Sequence, residues 1–281
     1  VMNRKTFVDI VGIGKSINDK ILTMRSSGEN LEKVNEIIKI SEGTLDLTGV
    51  YGIGPKRKDI YETRFGKIKT IEHLMELETE HKFLNTKQKL GVKYYGDMLE
   101  RIPKSEMHGH NDFIKDIIDA QKFKIKYDIS GSYRRECETS GDIDILITSS
   151  GENSIEKYRA FVDYLKQIDY ITDDLAYGDN KYMGLCKLPG CSTFRRIDII
   201  VTKPEDYYFE LLYFTGSDEF NKEMRRDALT QGYSLSQYNF TNSVTKEIVQ
   251  GTFDSEKSIF DFLGFKYIKP KDRKSGALVK L

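Results

Sequence analysis

GSYRRECETSGDIDILIT, residues 131–148, decides how the chain is read. It opens on a Gly-Ser pair, passes two arginines and ends in a β-branched run carrying Asp142 and Asp144. Side chains two apart on a strand point to one face, so the two aspartates project together. The later stretch FRRIDIIVT, 194–202, repeats the pattern with Arg196 and Asp198. If those strands are neighbours, three carboxylates converge, and adjacent anions resist joint ionisation unless a cation compensates. A hard divalent ion such as Mg²⁺ takes one or two carboxylates plus substrate phosphates. Two such ions, about 3.5–4 Å apart, activate an attacking oxygen and stabilise a leaving one. A lone Asp-x-Asp is usually a turn or a strand end. Here Gly131 and Ser132 offer backbone and hydroxyl donors to a phosphate, and Arg134 and Arg135 offer charge for a second oxygen. Gly141 stands directly before the aspartates.

The 281 residues carry 44 basic and 44 acidic side chains, a balance that taken whole argues against a polyanionic partner. The charges are segregated. Residues 136–156 hold six acids and no Lys or Arg, whereas 54–69 and 82–104 each hold six basic residues against two acids. Residues 266–281 hold six basic residues against Asp272. An acidic centre flanked by basic segments suits a protein that holds metal ions against a polyanion. Three cysteines, Cys137, Cys186 and Cys191, are the sparse, odd set of a reducing compartment, which predicts an intracellular setting, nucleus or cytoplasm. No second Cys or His pair accompanies Cys186 and Cys191, so they do not read as a zinc site. No apolar run approaches the roughly 18–20 residues a membrane span needs, and no signal peptide is visible. The first residue is Val, which hints that the sequence starts inside a longer protein.

The first 100 residues read as mainly helical and contain a repeat. FVDIVGIGKSINDKI (7–21) and DLTGVYGIGPKRKDIY (46–61) share an apolar residue, then Gly-Ile-Gly, then a polar helix start. Gly12 and Gly14, like Gly52 and Gly54, permit close backbone approach, and Pro55 suits the first position of a helix. Such a hairpin points N–H groups outward at a helix N-terminus, where a phosphate is welcome. Pro103 breaks the helical pattern and predicts a boundary. Beyond it, 143–147, 181–188 and 194–202 read as strands. Residues 155–168 read as a helix with Ile155, Tyr158, Val162, Leu165 and Ile168 on its buried face. A last boundary is expected near Pro204. In YFTGSDEFNKEMRRDALTQGY (213–233), Ser217 is a plausible N-cap, with Asp218 and Glu219 in the first turn. Asp218, Asn221, Lys222 and Arg225 then share one face, with Phe220, Met224 and Leu229 as the apolar side. After Tyr213 and Phe214, these are parts for stacking a base and touching its minor-groove edge.

Taken together, these stretches resemble the family X DNA polymerases, the family of polymerase beta, over nearly the whole chain. The resemblance rests on the paired helix-hairpin-helix motifs, LGVKYYGDMLERIP (90–103), GSYRRECETSGDIDILIT, RRIDI (195–199), LYFTGSDEFNKEMR (212–225) and DSEKSIFDFLGFKYIKPKDR (254–273). It implies an α+β, multidomain chain. A remnant of a lyase-like domain with the first hairpin would span 1–35, and a helical DNA-binding subdomain with the second would span 36–102. A nucleotidyltransferase palm would occupy 103–204 and a nucleotide-selection subdomain 205–281. It further implies that Asp142 and Asp144 bind two Mg²⁺ ions, with Mn²⁺ as a substitute, and that Asp198 binds the catalytic ion and takes the primer hydroxyl proton. Ser132, Arg135, Gly141 and Arg101 would hold nucleotide phosphates. Tyr213 and Phe214 would exclude a ribose 2′-hydroxyl on a turn shaped by Thr215 and Gly216. Asp218 would pack on the incoming base and Asn221 would touch its edge. Lys222 and Arg225 would face the template, and Arg196 would support Asp198.

Carbonyls of Val8, Ile10 and Ile13, and of Thr48, Val50 and Ile53, would hold a monovalent cation, Na⁺ or K⁺, against DNA phosphates. Lys20 matches the family's Schiff-base lysine, but the first half of the lyase domain is missing from the sequence, which puts that activity in doubt. The implied activity is template-directed, gap-filling addition of deoxynucleotides in DNA repair. The partners would be gapped or primed duplex and deoxynucleoside triphosphates, with a monomer and no membrane. Template-independent terminal transfer and a non-catalytic DNA-end scaffold are the alternatives.

Overall fold

A computed structural model describes residues 45–149, 154–274 and 276–281. Gly12, Gly14, Lys20 and the carbonyls of Val8, Ile10 and Ile13 lie outside the described residues. Packing divides the chain into two compact units, residues 1–92 and 93–281.

In the first unit a short 3₁₀ turn, Leu47–Gly49, is capped by Asp46, whose side chain accepts from the Thr48 amide. The chain then reverses through Gly52 at φ 85°, a conformation that favours glycine. Helix α1 (Pro55–Phe65) comes next, with Gly54 as N-cap and Pro55 inside the first turn. Helices α2 (Ile71–His81) and α3 (Thr86–Lys93) complete this part. Gln88, buried on α3, donates to the Gly52 carbonyl at 2.9 Å and accepts from the Tyr61 hydroxyl at 2.9 Å. One amide thereby ties α3 to the hairpin and to α1. Gly91 is a second lock, since a Cβ there would stand 2.3 Å from the Tyr51 carbonyl oxygen. Any side chain at 91 would push the hairpin away.

The second unit starts with a short helix α4 (Tyr95–Leu99) and strand β1 (Ile102–Pro103). Next come α5 (Lys104–Ala120), β2 (Lys126–Ile129), α6 (Gly131–Arg134), β3 (Thr139–Ser140) and β4 (Ile143–Thr148). Then come α7 (Ser154–Gln167), β5 (Ile171–Tyr177), β6 (Lys181–Cys186) and β7 (Arg195–Val201). The chain closes through α8 (Tyr207–Thr215), α9 (Asp218–Thr230), β8 (Tyr233–Leu235), β9 (Phe240–Asn242) and α10 (Glu256–Phe262). Packing divides the chain before Lys93. β1 pairs with β3, Ile102 opposite Ser140, so the residues from Lys93 onward belong with the sheet-bearing unit.

The central sheet has the order β2-β4-β7-β6-β5, with β4 and β7 parallel and every other pair antiparallel. Its two faces differ by strand parity. Ile143, Ile145 and Ile147 of β4 and Ile197, Ile199 and Val201 of β7 join Met107, Ile114, Tyr158, Phe161, Val162 and Leu165 from α5 and α7 in one core. The alternate residues, Asp144, Leu146, Asp198 and Ile200, point to the opposite face. There Leu146 and Ile200 are covered by Tyr207 and Leu211 of α8, and the aspartates lie beyond that cover. A second core joins Phe209, Leu212, Phe220, Met224, Ala228, Phe240, Ile259, Phe260, Leu263 and Phe265.

Helix α7 buries Tyr158, Val162 and Leu165 as its spacing predicts, but Ile155 and Ile168 at its two ends are 44% and 36% exposed. On α9, Phe220 and Met224 are buried, whereas Leu229 is 56% exposed and Ala228 takes the inward position.

Candidate active site

The sheet register builds the acidic face. Asp144 on β4 is directly opposite Asp198 on β7, and directly opposed residues on neighbouring strands have Cβ atoms about 5 Å apart. Asp142 sits one residue before β4 and hydrogen-bonds through Oδ2 to Arg196. Asp198 is 5% exposed and pairs through Oδ2 with the Lys181 ammonium at 2.7 Å. Its Oδ1 is buried with no hydrogen-bond partner among the described residues.

Burial pushes the Asp144 carboxyl up to about 7, and repulsion from Asp142 and then Asp198 adds to it. Asp142 is raised in the same way, first by burial, with Arg196 opposing and Asp198 adding. Here the picture differs from three open ligands. Among the described residues no group of three acidic, His or Cys side chains is gathered as a ready metal cage. Two of the three carboxylates are engaged by cations instead: Arg196 pairs with Asp142 and Lys181 with Asp198.

The groups that the sequence reading assigned to phosphate lie on the segments around this face. After β2 the chain turns at Gly131, φ 61°, where a Cβ would stand 2.6 Å from Asp144 Oδ2. The Ser130 amide donates to the Asp144 carbonyl at 2.7 Å. What sequence suggested was a Gly-Ser turn; the structure folds it into α6. Ser132 Oγ lies 3.0 Å from Ser140 Oγ. Pairing of β1 with β3 carries Arg101 to Gly141, where a Cβ would be 3.3 Å from its Nη1, and Arg101 donates to the Thr139 carbonyl at 2.8 Å.

Arg135 reaches the other way and donates to the Thr215 carbonyl at 2.5 Å, at the end of α8. Gly216 comes next with φ 69°, joined to Ser217 by a cis peptide. Ser217 then caps α9 by accepting from the Phe220 amide. Tyr213 and Phe214 stack edge to face at 5.0 Å. Asn221 donates to the Tyr213 carbonyl at 2.7 Å, and the Arg225 guanidinium lies 4.9 Å over the Tyr213 ring. Lys222 pairs with Asp218 on the exposed face. In the first unit the Val50 carbonyl accepts from the Ile53 amide at 3.0 Å across the hairpin that also carries Thr48, Gly52 and Gly54.

Three residues that sequence reasoning did not single out matter here. Lys181 is one. Glu256 and Arg273 are the others, with Arg134 as the third member of their cluster. Arg134 grips Glu256 with two bonds of 2.9 Å and donates to Thr215 Oγ1 at 2.7 Å. Arg273, 2% exposed, donates to the same carboxylate at 2.7 Å. Burial alone would raise Glu256, but the hydrogen bonds from Arg134 and Arg273 outweigh it and hold the carboxyl down at about 2. Arg134 is therefore a strut between α6 and α10, its guanidinium engaged by Glu256 and Thr215.

Family models for the DNA polymerase beta palm and the DNA polymerase beta thumb match residues 101–204 and 210–274. The chain is 32% identical to a DNA polymerase lambda of Rattus norvegicus, covering 94% of this chain and 48% of that protein. It is also 32% identical to a DNA polymerase lambda of Arabidopsis thaliana, over 93% of this chain and 52% of the relative. A DNA nucleotidylexotransferase of Gallus gallus is 22% identical over 94% of this chain and 58% of its own length. The chain thus spans about half the length of the curated relatives it matches. With the palm model ending on the acidic strand pair and the thumb model covering the Thr-Gly turn and the buried Glu256 cluster, the chain belongs to the family X DNA polymerases, the family of DNA polymerase beta.

Proposed function

We propose that this chain adds deoxynucleotides, under template direction, to a primer 3′-hydroxyl in short DNA gaps and releases pyrophosphate. The observation that carries the reading is the register of Asp144 against Asp198 on the face of the sheet opposite the core with α5 and α7. Family membership implies dependence on a divalent metal. The donor set fits one: hard carboxylate oxygens, one of them buried without a partner among the described residues, and two carboxyls whose ionisation burial and mutual repulsion make costlier, a cost that a cation offsets. Asp142, Asp144 and Asp198 would hold Mg²⁺, or Mn²⁺ in its place. When bound, such ions ease deprotonation of the attacking hydroxyl and neutralise the departing pyrophosphate.

The protein's own groups supply position and charge, the larger part of catalysis in phosphoryl transfer. Ser132 Oγ, Arg135, Arg101 and the Gly141 backbone would bind phosphate oxygens. Arg135 would exchange the Thr215 carbonyl for a phosphate, a charge-assisted bond roughly twice as strong as a neutral one. Asp198 would accept the primer hydroxyl proton. Tyr213 and Phe214 would wall off the sugar 2′ position, with Asn221 at the base edge and Lys222 and Arg225 toward the template. The hairpin at Thr48, Val50, Ile53, Gly52 and Gly54 would grip DNA phosphates through a monovalent cation, contacts that position DNA without reading sequence. We further place the protein, as a monomer, wherever gapped DNA is repaired, nucleus or cytoplasm. No described helix is long and apolar enough to cross a membrane.

Primer extension tests the reading. A one-nucleotide-gapped duplex with Mg²⁺ and the complementary deoxynucleotide is expected to be filled much faster than a single strand is lengthened. Equal extension of single strands would favour terminal transfer, and no incorporation on any substrate would favour a scaffold. Gly131 offers a finer check. Its missing Cβ is what admits the Asp144 carboxylate, and misplacing a reacting group by 1 Å costs about 10²-fold in rate. Gly131→Ala is expected to fill gaps about 100-fold more slowly while retaining gapped-DNA affinity in a gel-shift titration.

A further inference from the structure

Lys181 opens β6 with a place that the sheet dictates. β6 runs antiparallel to β7 with Lys181 opposite Ile200 and Met183 opposite Asp198. Lys181 is therefore the diagonal neighbour of Asp198, on the face that also carries Asp144. Its ammonium lies 2.7 Å from Asp198 Oδ2, on a side chain 43% exposed, while the Asp198 side chain is 7% exposed. A buried carboxylate without a counter-charge is costly, and in this structure the counter-charge is a lysine. The ammonium donates to a lone pair that a metal ion would otherwise use. Arg196 makes the comparable contact with Asp142, but a planar guanidinium is a poor candidate for easy departure. Lys181 carries a compact charge on a flexible four-carbon stem that reaches solvent.

We propose that Lys181 is a displaceable stand-in for the divalent cation at Asp198, held there in the free protein and drawn off when DNA phosphates arrive. The proposal rests on reading the acidic face as the polymerase metal site. Its consequence is that metal loading and DNA binding are coupled: without nucleic acid the ammonium competes with the ion, and with it the carboxylate is released.

The test is Mn²⁺ affinity by electron paramagnetic resonance on protein without nucleotide, with no turnover involved. Lys181→Met, Lys181→Gln, Lys181→Arg and Asp198→Asn are compared with the wild-type chain. Without DNA, the Met and Gln variants are expected to bind Mn²⁺ about tenfold more tightly, the effect of deleting one partly exposed unit charge a few Å away. The Arg variant should stay near wild type. With a one-nucleotide-gapped duplex carrying a dideoxy-terminated primer, the tenfold difference should shrink towards none. Unchanged or weaker Mn²⁺ binding in both neutral variants, with Asp198→Asn still impairing it, overturns the role of Lys181 and leaves the metal-site reading standing. A tenfold gap that persists on DNA overturns the coupling. Mn²⁺ binding that ignores Asp198→Asn overturns the metal-site reading itself. A merely structural lysine would lower Tm in the neutral variants and leave Mn²⁺ affinity where it was.

Discussion

Asp198→Ala is expected to reduce gap filling by about 10³–10⁴-fold, which corresponds to about 4–5.5 kcal/mol of transition-state stabilisation. Three features of the residue converge on this size. It is opposite Asp144 across the only parallel strand pair described in the sheet, and its backbone is held between paired strands on both sides. It is buried, where charge acts at lower effective dielectric than in water. Its Oδ1 has no hydrogen-bond partner among the described residues, so one oxygen is uncommitted in a place where that is unfavourable. Fold and chemistry separate cleanly in a pair of variants. Asp198→Asn keeps the volume and removes the charge, and is expected to be nearly as inactive as Asp198→Ala. Far-UV circular dichroism and gapped-DNA affinity of the Asn variant should match the wild type. Retention of a tenth or more of the wild-type single-turnover rate by either variant would mean that Asp198 neither holds a metal nor receives the proton.

The strands that carry the aspartates were legible because their pattern is local. Alternation of apolar and acidic residues in IDILI and RRIDI fixes which side chains share a face, and the observed strands and parities agree with it. Ser217 as N-cap was legible for the same reason: capping is a three-residue affair. Ends of helices were less so. Ile155, Ile168 and Leu229 keep helical spacing but fall where the neighbouring layer stops, and periodicity carries no information on how far that layer extends. Contacts between distant residues were hidden altogether. Nothing in the neighbourhood of Arg134 reveals that its partner is Glu256, 122 residues onward. Beside two glycines and two aspartates, its guanidinium reads naturally as a phosphate ligand. Lys181 was hidden because its meaning lies in the β6–β7 register. Gln88 and Gly91 were hidden because they act on a hairpin that precedes them by more than 30 residues.

Replacing Glu256 by Ala is expected to destabilise the second unit by about 3–5 kcal/mol, because it removes the counter-charge of buried Arg273 and of half-buried Arg134 together. For a domain of this size that is a fall in Tm of about 10 °C. Nucleotide handling should suffer as well, since Arg134 also bonds Thr215 Oγ1, next to the Gly216 turn; a raised KM for deoxynucleotide with a smaller change in kcat is the expected pattern. The origin of the effect is testable through pH. Glu256 has a folded-state carboxyl at about 2, below its ordinary 4.5, so it contributes stability that is present above pH 4.5 and lost as pH falls towards 2. The depression is worth roughly 3 kcal/mol. His110, buried on α5, is a separate acid-sensitive group. Burial holds it down at about 4 against an ordinary 6.5, so its contribution is present above pH 6.5 and lost as pH falls through 4. Glu256→Gln keeps His110 and removes only the carboxylate. The Tm advantage of wild type over Glu256→Gln should therefore hold steady from pH 7 to 5 and shrink between pH 4.5 and 2. An advantage that begins to shrink already between pH 7 and 5 would place the ionisation elsewhere, and one that never shrinks would mean that shape, and not charge, is what the two arginines require of residue 256.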